Sequence, residues 1–73
     1  MTPEQLRMAR AALKIGVREL AEMADVTPNT ISRIENGGDA MASTLKKLRQ
    51  ALEAKGVEFI PENGGGPGVR LKS

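Results

Sequence analysis

Seventy-three residues carrying 11 Lys and Arg against 9 Asp and Glu, a formal charge of +2, make one small domain. With neither Cys nor His in the chain, a disulfide framework, thiolate chemistry and the usual metal or nucleophile–base sets lack their parts. An excess of two cations permits a nucleic-acid partner without demanding one, provided that the basic residues share a face.

No apolar run approaches the ~20 residues needed to span a bilayer. The opening MTPEQL lacks a signal-peptide pattern. The expectation is a soluble, cytoplasmic protein, complete or nearly so, with no membrane partner. Phe59 is the only aromatic residue. The core must therefore be built from Leu, Ile, Val, Met and Ala, and a core this small commonly relies on oligomerisation.

In chain order, Thr2 before Pro3, with Glu4 and Gln5 following, reads as the N-cap of a first helix. Leu6, Ala9 and Leu13, with Met8 or Ala12, form its inward stripe, and Gly16 is expected to end it. Val17, Leu20, Ala21 and Ala24 share one face of a second helix over residues 17–24. Thr27 and Pro28 are an N-cap and first-turn proline for a third helix over 28–35, with Ile31 and Ile34 inward. Two helices this short, joined by a turn holding Val26, must cross steeply, which is helix-turn-helix geometry. Asn36, Gly37 and Gly38 stop the chain, and residues 39–43 form a loop. A fourth helix is expected from about Ser43 to Lys55, with Leu45, Leu48, Ala51 and Leu52 inward and Gly56 as its cap.

After Gly56 the period changes to two. Val57–Ile60 and Val69–Lys72 read as strands of a hairpin around a Gly/Pro-rich loop. Phe59 opposite Val69 sets Val57, Phe59, Val69 and Leu71 on one face, and Glu58 across from Arg70. Phe59 should pack on the helices. Because a lone hairpin is marginal and its outer edge invites another strand, this face is the expected dimerisation element. Residues 1–56 thus form the helical domain and 57–73 a C-terminal extension. Gly64–Gly66 reads as a flexible loop, since no Lys-Ser/Thr and no helix follow to make a phosphate site.

Leu6, Arg10, Leu20-Ala21, Val26, Ile31, Ile34-Glu35 and Gly37 together resemble the helix-turn-helix of phage Cro and repressor proteins, the xenobiotic-response-element (XRE) family of bacterial transcription regulators. The resemblance implies a mainly α, four-helix, lambda-repressor-like domain, here with a C-terminal β-hairpin. It also implies that Ala21 is the small residue at the crossing of the second and third helices, and that Arg10 and Glu35 form a partly buried ion pair. The tail from Gly56 resembles an extension found in small regulators of the family. Two positions depart from the pattern: Val17 stands where Gln is common, and Asp25 where the turn usually has Gly.

Within this reading the outward residues of the third helix meet double-stranded DNA. Asn29 and Arg33 suit base edges, Thr27, Thr30 and Asn36 suit phosphate, and Pro28 and Ser32 border them. Arg18, Lys14, Lys46 and Lys47 are further phosphate candidates. The expected function is sequence-specific regulation, as a repressor, by a homodimer on a palindromic operator. An alternative is an antitoxin-like protein that covers a small protein partner and represses its own operon. Neither an enzymatic activity nor a cofactor is expected.

Overall fold

A computed structural model describes residues 1–72. It has four helices, α1 (Pro3–Leu13), α2 (Val17–Ala24), α3 (Pro28–Glu35) and α4 (Ala42–Ala54), then strands β1 (Val57–Ile60) and β2 (Gly68–Leu71). The mainly helical architecture with a terminal hairpin agrees with the pattern of apolar residues. None of the helices among the described residues is long and apolar enough to cross a membrane.

Local chemistry sets the helix starts. Thr2 Oγ1 accepts from the Gln5 amide at 3.0 Å, while Gln5 Oε1 accepts from the Thr2 amide at 2.9 Å, closing a reciprocal capping box. Thr27 caps α3 by accepting from the Thr30 amide at 3.2 Å, with Pro28 in the first turn. The N-cap of α4 is Met41, whose side chain caps nothing, so this helix starts one residue before the expected Ser43.

The helix ends differ more from expectation. Gly16 does not terminate α1. Its backbone is extended, and it serves as the N-cap of α2. The left-handed residue is Lys14, at φ 58°. Its amide donates to Ala11 O, and the Ile15 amide donates to Arg10 O, both at 3.1 Å. Together these two bonds satisfy two of the orphan carbonyls of the last turn, and Ile15 folds back onto the core. Asp25, at φ 57°, ends α2 in the same way, with the Val26 amide bonded to Ala21 O at 3.0 Å. The short α1–α2 and α2–α3 connections impose the left-handed residue wherever the helix stops, whichever side chain stands there.

Leu6, Ala9, Leu20, Ala21, Ala24, Ile31, Ile34, Leu48, Leu52 and Val57 form the buried core, with Leu13, Leu45 and Ala51 packed around it. Six of these are large, fully enclosed side chains, each contributing roughly 1.5–3 kcal/mol from burial. Met8 lies outside the stripe at 36% exposure. On α1 the positions that face inward are 5, 6 and 9, so Met8 falls on the flank.

The hairpin pairs antiparallel in the expected register, Glu58 with Arg70 and Phe59 with Val69, and extends to Ile60 with Gly68. β2 accordingly begins at Gly68 and ends at Leu71. Lys72 lies outside it, its amide bonded to Gly56 O at 2.7 Å. α1 packs against both strands, α4 against β1. Val57 on β1 is therefore wholly enclosed and belongs to the chain's own core, not to an outer face. Its partner Leu71, on the strand farther from α4, stays 52% exposed.

Candidate nucleic-acid interface

The inner and outer sides of α3 are chemically opposite. Ile31, Ile34 and Glu35 are buried, whereas Thr27, Pro28, Asn29, Ser32, Arg33 and Asn36 are exposed and Thr30 is half-buried. Ala21 and Ala24 of α2 are both buried, and their small side chains let α2 and α3 approach closely. Asn29 and Arg33, four residues apart, share the outer face. The one carboxylate of α3, Glu35, is turned inward, so nothing acidic on this helix competes for a polyanion. Arg33 takes part in no ion pair among the described residues.

The orientation of α3 is fixed from behind by α1. Arg10 grips the Glu35 carboxylate with two bonds, Nε to Oε2 at 2.7 Å and Nη2 to Oε1 at 2.8 Å. Its third nitrogen, Nη1, donates to Ile15 O at 3.3 Å in the α1–α2 turn. One guanidinium thus ties together the body of α1, the turn after it and the end of α3. The Glu35 hydrogen bond raises the Arg10 pKa, more than offsetting partial burial, so the guanidinium stays charged. Side-chain exposures of 22% for Arg10 and 10% for Glu35 mean substantial desolvation, so the pair contributes orientation more than net stability.

Arg7 adds a second hold. Its Nη2 donates to the backbone carbonyl of Glu35, capping the end of α3 where the helix dipole favours a cation. Sequence reasoning missed Arg7, although its position three residues before Arg10 on α1 was a usable signal. It read Gly38 as a stop for the chain and missed its close approach to Arg33. The Gly38 amide donates to Arg33 O at 2.8 Å, and a Cβ there would lie 2.6 Å from Arg33 Cγ and 2.9 Å from that carbonyl. A larger residue would push Arg33 from its place on the outer face.

The other predicted residues are distributed around this helix unevenly. Arg18 lines a cleft of about 390 Å³ with Ala21, Glu22, Asp25, Val26 and Pro28, which brings it to the N-terminal end of α3. Arg33 borders a broader concavity of about 600 Å³ with Asp39, Ala40 and Met41. Thr27 and Thr30 hydroxyls bond each other at 2.8 Å, so one of the two hydrogens is used within the helix. Lys14 is exposed at the end of α1. Lys46 borders a groove with Met1, Ala42, Leu45 and Arg49 that α3 does not line, and Lys47 is exposed beside it. Val17, where the family commonly has Gln, is half-buried against the core.

A family profile described as helix-turn-helix matches residues 6–59, which spans α1 to β1. Over 52 residues the chain is 46% identical to the HTH-type transcriptional repressor RghR of Bacillus subtilis (strain 168), covering 68% of this chain and 38% of that protein. It is 42% identical over the same length to an uncharacterized HTH-type transcriptional regulator, RghRB, of the same organism, covering 68% of this chain and 37% of that one. The chain spans less than two-fifths of the length of either relative. A profile match over well more than half of the residues places the chain in the helix-turn-helix family, among the XRE-type regulators.

Proposed function

We propose that the chain binds double-stranded DNA as a homodimer and represses transcription from a palindromic operator. The observation that carries this reading is α3. Its outer face presents Asn29, Ser32, Arg33 and Asn36 with no acid among them, and Arg7 and Arg10 hold its C-terminal end. Asn29 and Arg33 have the donor and acceptor sets for adenine and guanine edges. Thr27, Thr30 and Asn36, with Arg18 across the cleft, suit phosphate contacts that set register. Two copies of α3 would enter major grooves about 34–36 Å apart.

Self-association is supported by the hairpin, where Leu71 stands 52% exposed beside half-buried Val69 and Phe59 on a two-stranded sheet. An open strand edge and an apolar side chain next to it favour pairing with a second copy. Repression is supported by the name of the 46%-identical relative.

Selection of bound sequences from a random DNA pool by the purified protein tests the reading. A palindrome with half-sites one helical turn apart is expected, and failure to enrich any motif overturns it. Arg33→Ala should cost about 1–3 kcal/mol and relax preference at one base pair. Asn29→Ala should change the preferred base; a uniform loss across all sequences would remove Asn29 from the reading face.

A further inference from the structure

The chain holds two Asn-Gly steps, Asn36-Gly37 and Asn63-Gly64, and the fold treats them in opposite ways. Asn-Gly is the dipeptide at which a backbone nitrogen most readily attacks the preceding side-chain amide, because glycine puts no Cβ in the path. Attack also needs a peptide N–H that is free to lose its proton and a backbone free to swing the nitrogen toward Cγ.

At Asn36 neither condition is met. The Gly37 amide donates to Ile34 O at 3.0 Å and the next amide, Gly38, to Arg33 O at 2.8 Å. Asn36 itself is held at φ −93° and ψ 12°, its own amide bonded to Ser32 O at 3.1 Å. Ring closure would have to rotate ψ and break the cap of α3. Asn29, the remaining asparagine, precedes β-branched Thr30 within the first turn of the same helix, where the Thr30 amide is bonded to Thr27.

At Asn63 both conditions are met. Asn63 and Gly64 are exposed in the loop between β1 and β2, and the Gly64 amide has no hydrogen-bond partner among the described residues. Space around Gly64 is open, with no heavy atom beyond its two chain neighbours within 4 Å of where a Cβ would stand. Two further glycines follow, so the backbone on the nucleophile's side is unrestrained.

We infer that Asn63 is a site of spontaneous deamidation, and that the cap of α3 protects Asn36 from the same reaction. The Gly64 nitrogen bonds to Asn63 Cγ, the Cγ–Nδ2 bond breaks, and ammonia leaves with the proton from the Gly64 amide. Water then opens the resulting five-membered imide at either carbonyl, giving aspartate or isoaspartate. No electron transfer is involved, and water is the one co-reactant. The product adds a negative charge beside Glu62 at the hairpin tip. Gln5 Nε2, bonded to Ile60 O and Gly68 O at 3.0 Å each, holds the strand pair below the loop, so the change stays local. The same conversion at Asn36 would place a carboxylate on the outer side of α3. The chemistry stands whether or not α3 reads DNA.

Peptide mapping by mass spectrometry, after incubating the folded full chain in mildly alkaline buffer at physiological temperature, tests the inference. The amide-to-acid mass gain and isoaspartate should appear at Asn63, with Asn36 reacting at least about tenfold more slowly because it must first open its cap. In denaturant the two Asn-Gly sites should react at similar rates, which assigns the difference to the fold and not to the flanking sequence. Asn63→Gln should abolish the folded-state signal. Equal or faster reaction at Asn36 in the folded chain, or an unreactive Asn63, overturns the inference.

Discussion

In the helical body, from α1 to α4, each helix buries its own apolar stripe, and local backbone bonds close its ends; in the hairpin, one residue, Val57, is fully buried, the two strands pair with each other, and Gln5 of α1 ties them to the body. The body is specified by period and caps, both readable within a few residues. The hairpin depends on Gln5, whose amide nitrogen spans 55 and 63 residues of sequence to reach the carbonyls of Ile60 and Gly68. A segment built from local signals can form as a unit, whereas one built from distant contacts should loosen first. The difference matters for the proposed function, because the helix proposed to read DNA lies in the first region and the proposed self-association surface in the second.

The strongest way to break this comparison is to damage the body. Leu48→Ala removes a fully buried side chain shared by the helices, and about 3 kcal/mol of stability should go with it. In a domain this small, that loss is a large part of the total, and thermal unfolding should show helices and hairpin melting together. A hairpin that keeps its protection after the helices have melted would invert the proposed dependence.

Gln5→Ala attacks the other region. It removes both clamps on the hairpin and half of the α1 capping box, a loss of about 2 kcal/mol in all. Hydrogen exchange should accelerate in β1 and β2 while the amides of α3 keep their protection. Uniform acceleration in both regions would mean that they open as one unit.

Within the body, Arg10 and Glu35 form a sharper test of what orients α3. A double-mutant cycle with Arg10→Met and Glu35→Gln should give a coupling of about 1–2 kcal/mol in stability. Either single change should weaken operator binding more than its stability cost explains, because each frees the end of α3. Zero coupling would leave the core alone to set the helix.

The outcome at the helix ends also shows what could be read from the chain beforehand. Helix periodicity, the Thr2 and Thr27 caps and the register of Glu58 with Arg70 rest on neighbours in sequence or on a simple alternation, and all were legible. The termination of α1 was not. Gly16 is the residue whose chemistry advertises a left-handed turn, yet Lys14 takes it, because the length of the α1–α2 connection and the inward pull on Ile15 decide where the helix stops. Arg7, the hairpin contacts of Gln5 and the close approach of Gly38 to Arg33 were missed for a related reason: each acts through a carbonyl or a close approach that has no sequence periodicity. The outward residues of α3 could be named from the inward isoleucines, but Lys46 could not be placed relative to them without the fold. Lys14→Gly exploits the surprise: relieving the left-handed lysine should raise stability by up to about 1 kcal/mol in denaturant titration. A loss of stability would mean that the greater freedom of glycine in the unfolded chain dominates.

The smallest effect concerns the outer face of the hairpin, where Arg70 Nε meets Glu58 Oε1 at 2.6 Å. The hydrogen bond from Arg70, with its charge as a lesser cause, holds the Glu58 carboxyl below its ordinary value, and the same bond raises Arg70. As pH falls, the unfolded chain therefore takes up the Glu58 proton before the folded chain does. Whatever stability the pair contributes is fully present above the ordinary Glu range and is lost as pH falls through the lower folded value. Exposure and salt screening keep the contribution small. Hydrogen exchange in β1 and β2 is then the sensitive readout: protection should decline on the acid side in the native chain, and Glu58→Gln should flatten that decline while leaving α3 unchanged. If the acid decline persists undiminished in Glu58→Gln, its source lies in the body and not in this pair. The hairpin would then be following the helices at low pH and not yielding before them.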